Sequence, residues 1–180
     1  MDKKNVLVWI DLEMTGLDPA RDYILEVATI VTDNNLNIIA QGPDIVIHQP
    51  EERLIMDAKV REIHAKSGLL IAVERSSITL EQAEEKTYNF LAQYVQPGCG
   101  ILSGNTVWQD RSFLVAYMPR ILNLLHYRII DVSTIKELIK RWYPEHKKVQ
   151  FIKPNNHRAL EDIEGSIAEL AHYRMNFFIQ

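Results

Sequence analysis

Apolar residues recur with two different periods along this chain, and the change of period separates its first part from the rest. Residues 5–11 ("NVLVWID") and 24–33 ("ILEVATIVTD") are dense apolar runs rich in β-branched side chains, and they predict buried strands. Two more strands are predicted at 36–41 and 44–48, with "DNNLN" supplying the turn residues after the second run. These early strands read as antiparallel hairpin neighbours. A looser segment, 51–75, accommodates a short helix. From residue 79 the helical period of about 3.6 takes over. Thr79 and Gln82 have the spacing of a capping box, and the helix they start runs to "QPG" at 96–98. A strand at 100–104, a helical stretch at 109–118 stopped by Pro119, and a strand at 128–131 follow. Helices over about 134–142 and 158–174 complete the chain. Early antiparallel strands followed by alternating helices and strands predict an α/β layer architecture, a mixed sheet flanked by helices.

Composition narrows the class without naming a chemistry. No repeat, low-complexity tract or Pro/Gly-rich linker divides the chain, so residues 1–180, at 47% hydrophobic, are read as one domain. Lys plus Arg number 20 against 24 for Asp plus Glu, a net charge of −4, with no block of like charge. That balance argues against a broad basic surface holding long nucleic acid. It leaves room for a small anionic substrate, because a local pocket of metal and arginine can oppose the overall sign. A single cysteine, Cys99, excludes an internal disulfide. The first residues lack the long apolar run of a signal peptide or membrane span, so a soluble cytoplasmic protein without membrane attachment is expected.

Candidate chemistry begins in "WIDLEMTGLDP", residues 9–19, where an apolar strand runs into two acids. Successive side chains of a strand alternate faces, so Asp11 and Glu13 project together while Leu12 points the other way. Taken alone, such a pair is more often a strand end reaching solvent. Asp110 stands at i−3 and i−4 to Phe113 and Leu114, on the inward stripe of its predicted helix, where an acid needs a partner. Alone, it is also a helix N-terminal acid favoured by the macrodipole. In "HRALED" at 157–162, five positions at about 100° each put His157 and Asp162 roughly 140° apart on a helix. His157 is therefore assigned to the loop or opening turn after "PNN", and Asp162 to the helix, beside the stripe of Leu160, Ile163 and Ile167.

Together, four carboxylates on three elements and one histidine form a constellation. Hard oxygen ligands without clustered thiols favour Mg²⁺ or Mn²⁺. Two such ions suit phosphodiester hydrolysis by stabilising both the attacking and the leaving oxygen. His157, with an unperturbed pKa of about 6.5, fits as the general base that takes the proton of the attacking water. In-line attack of water on phosphorus, without a covalent enzyme intermediate, is the expected reaction.

"WIDLEMTGLDP", "SGNTVWQDRSFL" and "HRALEDIEGSIAEL" resemble the three motifs of the DEDD 3′–5′ exonucleases, in the branch that uses histidine. The resemblance is closest to the oligoribonucleases and runs along nearly the whole chain, through "EVATIVTDNNLNI", "GPDIVIHQ", "SGL", "YMPRI", "HYRIIDVSTIKEL" and "AELAHYR". It implies an RNase H-like fold with a five-stranded mixed sheet, a two-metal mechanism, and a homodimer that hydrolyses very short oligoribonucleotides, ending with dinucleotides, to mononucleotides. It assigns Asp11, Glu13, Asp110 and Asp162 as metal ligands and His157 as base, in agreement with the reading made from the residues. It further implies that Leu17 wedges the base near the scissile end. The 5′ phosphate would be capped by Thr106, Ser133 and Thr134 together with Arg128, which enters with Tyr127 from the neighbouring subunit.

Ser133 and Thr134 also have a local reading, since a helix N-terminus offers free N–H groups to an anion, while Thr134 and Glu137 equally form a capping box. Two positions depart from the family pattern. Lys59 stands where relatives carry a tryptophan, and Thr106 where serine is more usual. Trp108 falls at a variable position of the second motif, with no role read for it. A proofreading or trimming exonuclease of the same superfamily, acting on longer single strands, would share all five catalytic residues. A binding module that has lost activity would lack part of the ligand set.

Overall fold

The computed structural model describes residues 3–152 and 158–179. Strands β1 (Leu7–Met14), β2 (Ile24–Thr32) and β3 (Ile38–Val46) come first, followed by a 3₁₀ turn at Glu51–Arg53 and helices α1 (Ala58–Lys66), α2 (Leu69–Arg75) and α3 (Leu80–Tyr94). Then come β4 (Gly100–Gly104), α4 (Trp108–Tyr117), a short α5 (Pro119–Leu122), β5 (Leu125–Asp131), α6 (Val132–Trp142) and α7 (Ala159–Phe177). The five strands form one sheet in the order β3-β2-β1-β4-β5. The hairpin pairs β1–β2 and β2–β3 are antiparallel, and β1–β4 and β4–β5 are parallel. This is the mixed α/β sheet expected, with the expected antiparallel start.

Helices cover both faces. Val8, Ile10 and Leu12 of β1 pack with Ala83 and Leu91 of α3, Phe113 and Leu114 of α4, and Ile121 of α5. Leu7 and Trp9 point the other way, into a second cluster with Ile139 of α6 and Ile163, Ile167 and Tyr173 of α7. Burial on both faces explains why β1 and β2 read as near-continuous apolar runs instead of alternating ones.

Most differences from expectation lie at element ends and have local causes. The strands expected at 36–41 and 44–48 are one strand, β3, running through Gly42 and Pro43. Proline is tolerated there because β3 is an edge strand. At Gly42 a Cβ would lie 2.1 Å from Thr29 Oγ1 and 2.5 Å from the Phe90 ring, so the glycine lets α3 sit close to the sheet. The 51–75 segment holds two helices, joined at Gly68, whose φ of 76° ends the first. Strand β5 begins at Leu125, three residues before the expected start, and α7 continues to Phe177. The Thr79–Gln82 capping box of α3 is present in both directions.

Candidate active site

Strand β1 carries the first two acids. The strand does not stop at Asp11 as expected but continues to Met14, with Asp11 opposite Ala28 and Glu13 opposite Glu26 of β2. Asp11 and Glu13 therefore lie inside the strand, half-buried, while Leu12 is buried on the other face. Asp162 sits in the first turn of α7, where its N–H donates to Arg158 O at 3.0 Å. Oxygen atoms of Asp11, Glu13 and Asp162 all lie within 4.8 Å of one another. A three-carboxylate donor set of this kind fits a hard divalent cation, and like charges so close together are relieved by one.

Asp110 arrives from the opposite layer. Its helix, α4, packs in the cluster of Val8, Ile10 and Leu12, as its inward stripe predicts, and the side chain is buried. The parallel ladder between β1 and β4 reaches only Trp9 and Ser103. Beyond it the free Leu12 N–H donates to Asp110 Oδ1 at 2.9 Å. Desolvation pushes the Asp110 carboxyl up to about 7, against hydrogen bonds from Leu12 and its own backbone that lower it, with nearby Asp131 adding to the rise. Glu13 is pushed up to about 8, first by burial and then by Asp162, Glu26 and Asp110, with Arg158 opposing. Three acids, Glu26 of β2, Asp110 of α4 and Asp162 of α7, thus act electrostatically on Glu13. His157 lies outside the described residues.

The expected substrate contacts fall on the rim. Leu17 is 72% exposed at the tip of the β1–β2 connection. Its carbonyl accepts from Gln109 Nε2 at 2.7 Å, and Tyr117 OH donates to Pro19 O and Asp22 O in the same loop. Asp22 in turn accepts from Thr15 Oγ1 and Asp18 N–H, and a Cβ on Gly16 would lie 2.4 Å from its carboxylate. The loop is tied down from both helix α4 and its own residues.

Thr106, Ser133 and Thr134 line one cavity of about 330 Å³, together with Trp108, Leu138 and Arg141. Thr106 Oγ1 and Ser133 Oγ are 3.1 Å apart, and Asp131 Oδ1 accepts from both the Thr106 and the Ser133 N–H groups at 2.9 Å. Asp131 is therefore the N-cap of α6, and the Thr134–Glu137 capping box is not formed. Behind this cavity Asn105 Nδ2 donates to the buried Glu169, which also holds Lys136 and Tyr173. Burial would raise the Glu169 carboxyl, but these three donors hold it below its ordinary value.

Tyr127 and Arg128 are not at this cavity. They lie exposed on the edge strand β5, with the Arg128 guanidinium 5.0 Å over the Tyr127 ring of the same chain. Lys59 is exposed on α1.

Sequence reasoning missed several residues that shape the site. Glu26 lies opposite Glu13 and ion-pairs with Arg158, and its signal was one charged residue in an otherwise uncharged buried strand. His64 of α1 is buried, with Nε2 2.9 Å from Met14 O and Nδ1 3.8 Å from Glu13 Oε2. Gln109 and Asp131 act through single hydrogen bonds to distant segments, which no local pattern announces.

Among known proteins, the RNase T exonuclease family model matches residues 8–170. Oligoribonuclease of Dichelobacter nodosus is 54% identical over 180 residues, covering 99% of this chain and 98% of the relative. Mitochondrial oligoribonuclease of Homo sapiens is 52% identical over 173 residues, covering 96% of this chain and 73% of the relative. Oligoribonuclease of Pseudomonas aeruginosa is 51% identical over 178 residues, covering 98% of each. Among solved structures, exonuclease I of Methylocaldum szegediense superposes with a TM-score of 0.66 at 19% identity, covering 96% of this chain and 41% of that one. Escherichia coli exonuclease I in complex with a 5cy-dT13 oligonucleotide gives a TM-score of 0.67 at 16% identity, covering 97% and 41%. At such identities the structural likeness speaks for the RNase H-like fold alone.

Proposed function

This chain belongs to the oligoribonuclease family of exonucleases, and from that premise we propose that it is a 3′–5′ exoribonuclease using two Mg²⁺ or Mn²⁺ ions to hydrolyse short oligoribonucleotides, dinucleotides included, to 5′-mononucleotides. The observation that carries the reading is the convergence of Asp11, Glu13 and Asp162 within 4.8 Å, with Asp110 reaching the same strand through Leu12 N–H. Asp11, Glu13, Asp110 and Asp162 are the residues that would hold the cations. When bound, divalent cations supply Lewis-acid stabilisation of the charge that develops on the attacking and leaving oxygens.

The chain's own groups supply the rest. Leu17, held out on its fastened loop, packs against the base at the scissile end. Thr106, Ser133 and Thr134 receive the 5′ phosphate with their hydroxyls and the N-terminus of α6, joined by Arg128 and Tyr127 from a second copy. This end-capping limits substrate length, because a longer strand would need to pass through the capped position. His157 takes the proton as a water oxygen forms its bond to phosphorus, and the bond from phosphorus to the 3′ oxygen of the preceding nucleotide breaks. The unpaired edge of β5, where Tyr127 and Arg128 stand, supports assembly with a second copy. Among the described residues no helix is long and apolar enough to cross a membrane. A cytoplasmic location accords with the lone Cys99.

A second reading, a related exonuclease trimming longer single strands, is favoured by one observation: Lys59 stands exposed on α1 without an aromatic ring at its position. The two separate in one assay, hydrolysis of 5′-labelled RNAs of two to about ten nucleotides with Mn²⁺ or EDTA. Metal-dependent loss of the dinucleotide, abolished in Asp11→Ala, is expected. Cleavage that favours long strands and stalls at two nucleotides would replace the first reading with the second.

A further inference from the structure

We propose that the Glu26–Arg158 ion pair is a positioning device for the metal site: it sets the start of α7, and with it Asp162, against β1, and it withdraws a competing carboxylate from the cation. The inference rests on the reading of Asp11, Glu13 and Asp162 as cation ligands.

Glu26 lies directly opposite Glu13 in the antiparallel register, so both side chains leave the same face of the sheet. Two ionised carboxylates placed so repel each other, and Glu26, fully buried, has no water to screen it. Its oxygens turn to the start of α7 instead. Oε1 accepts from Arg158 Nε at 2.9 Å and from Arg158 Nη2, while Oε2 accepts from Arg158 Nε at 3.2 Å and from Ala159 N–H at 3.1 Å. This fork fixes orientation as well as distance, which a single contact would not.

The last of those bonds is a helix cap supplied from another element. Arg158, the residue before α7, provides no side-chain cap itself, and Ala159 N–H is one of the donors a helix start leaves without an intrahelical partner. Glu26 satisfies it from 133 positions away. One turn further on, Asp162 N–H bonds to Arg158 O. Strand β2, Arg158 and Asp162 are thus joined by consecutive short bonds, and a shift of Arg158 carries Asp162 away from Asp11 and Glu13. Asp44 of β3, also close to Glu26, is pushed up to about 6 by burial and by Glu26 itself. Among the described residues Arg158 opposes this row of acids, lowering both Glu13 and Asp44.

The test compares the parent with Arg158→Lys, Arg158→Gln and the double variant Glu26→Gln/Arg158→Gln, which removes both charges of the pair together and is checked for folding by circular dichroism. Mn²⁺ binding is read by electron paramagnetic resonance without substrate, and kcat and KM on a labelled diribonucleotide are measured separately. Arg158→Gln should weaken Mn²⁺ binding by roughly 10–100-fold, the range for partners that orient metal ligands, and lower kcat with KM nearly unchanged. Arg158→Lys should recover part of both, because it keeps the charge and loses the fork. The double variant should regain folding but not kcat. Folded variants with parental Mn²⁺ affinity and kcat would overturn the proposal, leaving a pair that serves stability alone. A parent that binds Mn²⁺ yet spares dinucleotides overturns the substrate reading only, and one that binds no Mn²⁺ overturns both.

Discussion

Burial pushes Glu13 up to about 8, with Asp162, Glu26 and Asp110 adding to it, and pushes Asp110 up to about 7. In metal-free protein both groups hold a proton at pH values where the unfolded chain has released it, so folding takes up protons. Their contribution to stability is then fully present below the unfolded pKa values of about 4 and is lost as pH rises to the folded values. A divalent cation reverses this, because its binding expels those protons and tightens as pH rises. Thermal denaturation at a series of pH values should show the Tm in EDTA falling towards pH 8 and the stabilisation by Mn²⁺ growing over the same interval. A Mn²⁺ shift independent of pH would show that neither carboxyl is a ligand. Leu17 belongs to the same scale. It is 72% exposed and contributes little to the core, so Leu17→Ala should leave Tm unchanged. Its loss of contact with a base should raise KM for dinucleotides by roughly 10–100-fold, in line with about 1.5–3 kcal/mol for burying a leucine side chain on binding. An unchanged KM would remove it from the substrate site.

Elements position what residues supply. Helix α4 does two things in consecutive residues: Asp110 reaches back to Leu12 N–H of β1, and Gln109 holds Leu17 O in the loop that follows β1. Gln109 is buried, so Gln109→Ala leaves that carbonyl without its donor and should cost about 1–2 kcal/mol of stability in denaturant unfolding. It should also raise KM through a loosened Leu17, with kcat less affected than by Asp110 substitutions. Equal losses in KM and kcat would show that the bond serves Asp110 and not the loop. The start of α6 shows where local pattern misleads. Both Asp131 and Thr134 are capping-type residues with plausible spacing, and the choice falls to Asp131 because its carboxylate, fixed at the end of β5, also receives Thr106 N–H. Thr106 there adopts φ 54°, a left-handed conformation uncommon for a β-branched residue, in the hydroxyl cluster assigned to the 5′ phosphate.

At the scale of the whole molecule, the acids come from both layers: Asp11, Glu13 and Asp162 on the α7 side of the sheet, Asp110 from the α4 side past the end of the β1–β4 ladder. In the dimer proposed above, assembly would add what one chain does not place in the cavity. Tyr127 and Arg128 stand exposed on β5, beside a groove of Trp108, Ile129, Ile130 and Ile135 along the unpaired edge. Sedimentation should find a dimer, and Arg128→Ala should raise KM for 5′-phosphorylated dinucleotides by about tenfold or more, as expected for a charge-assisted hydrogen bond to phosphate. Mixing Arg128→Ala with Asp11→Ala subunits should restore one intact composite site per heterodimer. A monomer with full activity would dismiss the shared site.

The sequence by itself determined the element types, the antiparallel start of the sheet, the common face of Asp11 and Glu13, and the inward position of Asp110. Each of these follows from a period of two or 3.6 residues and so is written locally. Tertiary structure alone decided that β3 runs unbroken through Gly42 and Pro43, because tolerance of a proline depends on being at a sheet edge. It also decided that Asp131 caps α6, and that Glu26, read as one more strand residue, reaches Arg158 across the fold. Those outcomes depend on which segments meet in space, and residues from separate elements carry no periodic trace of meeting.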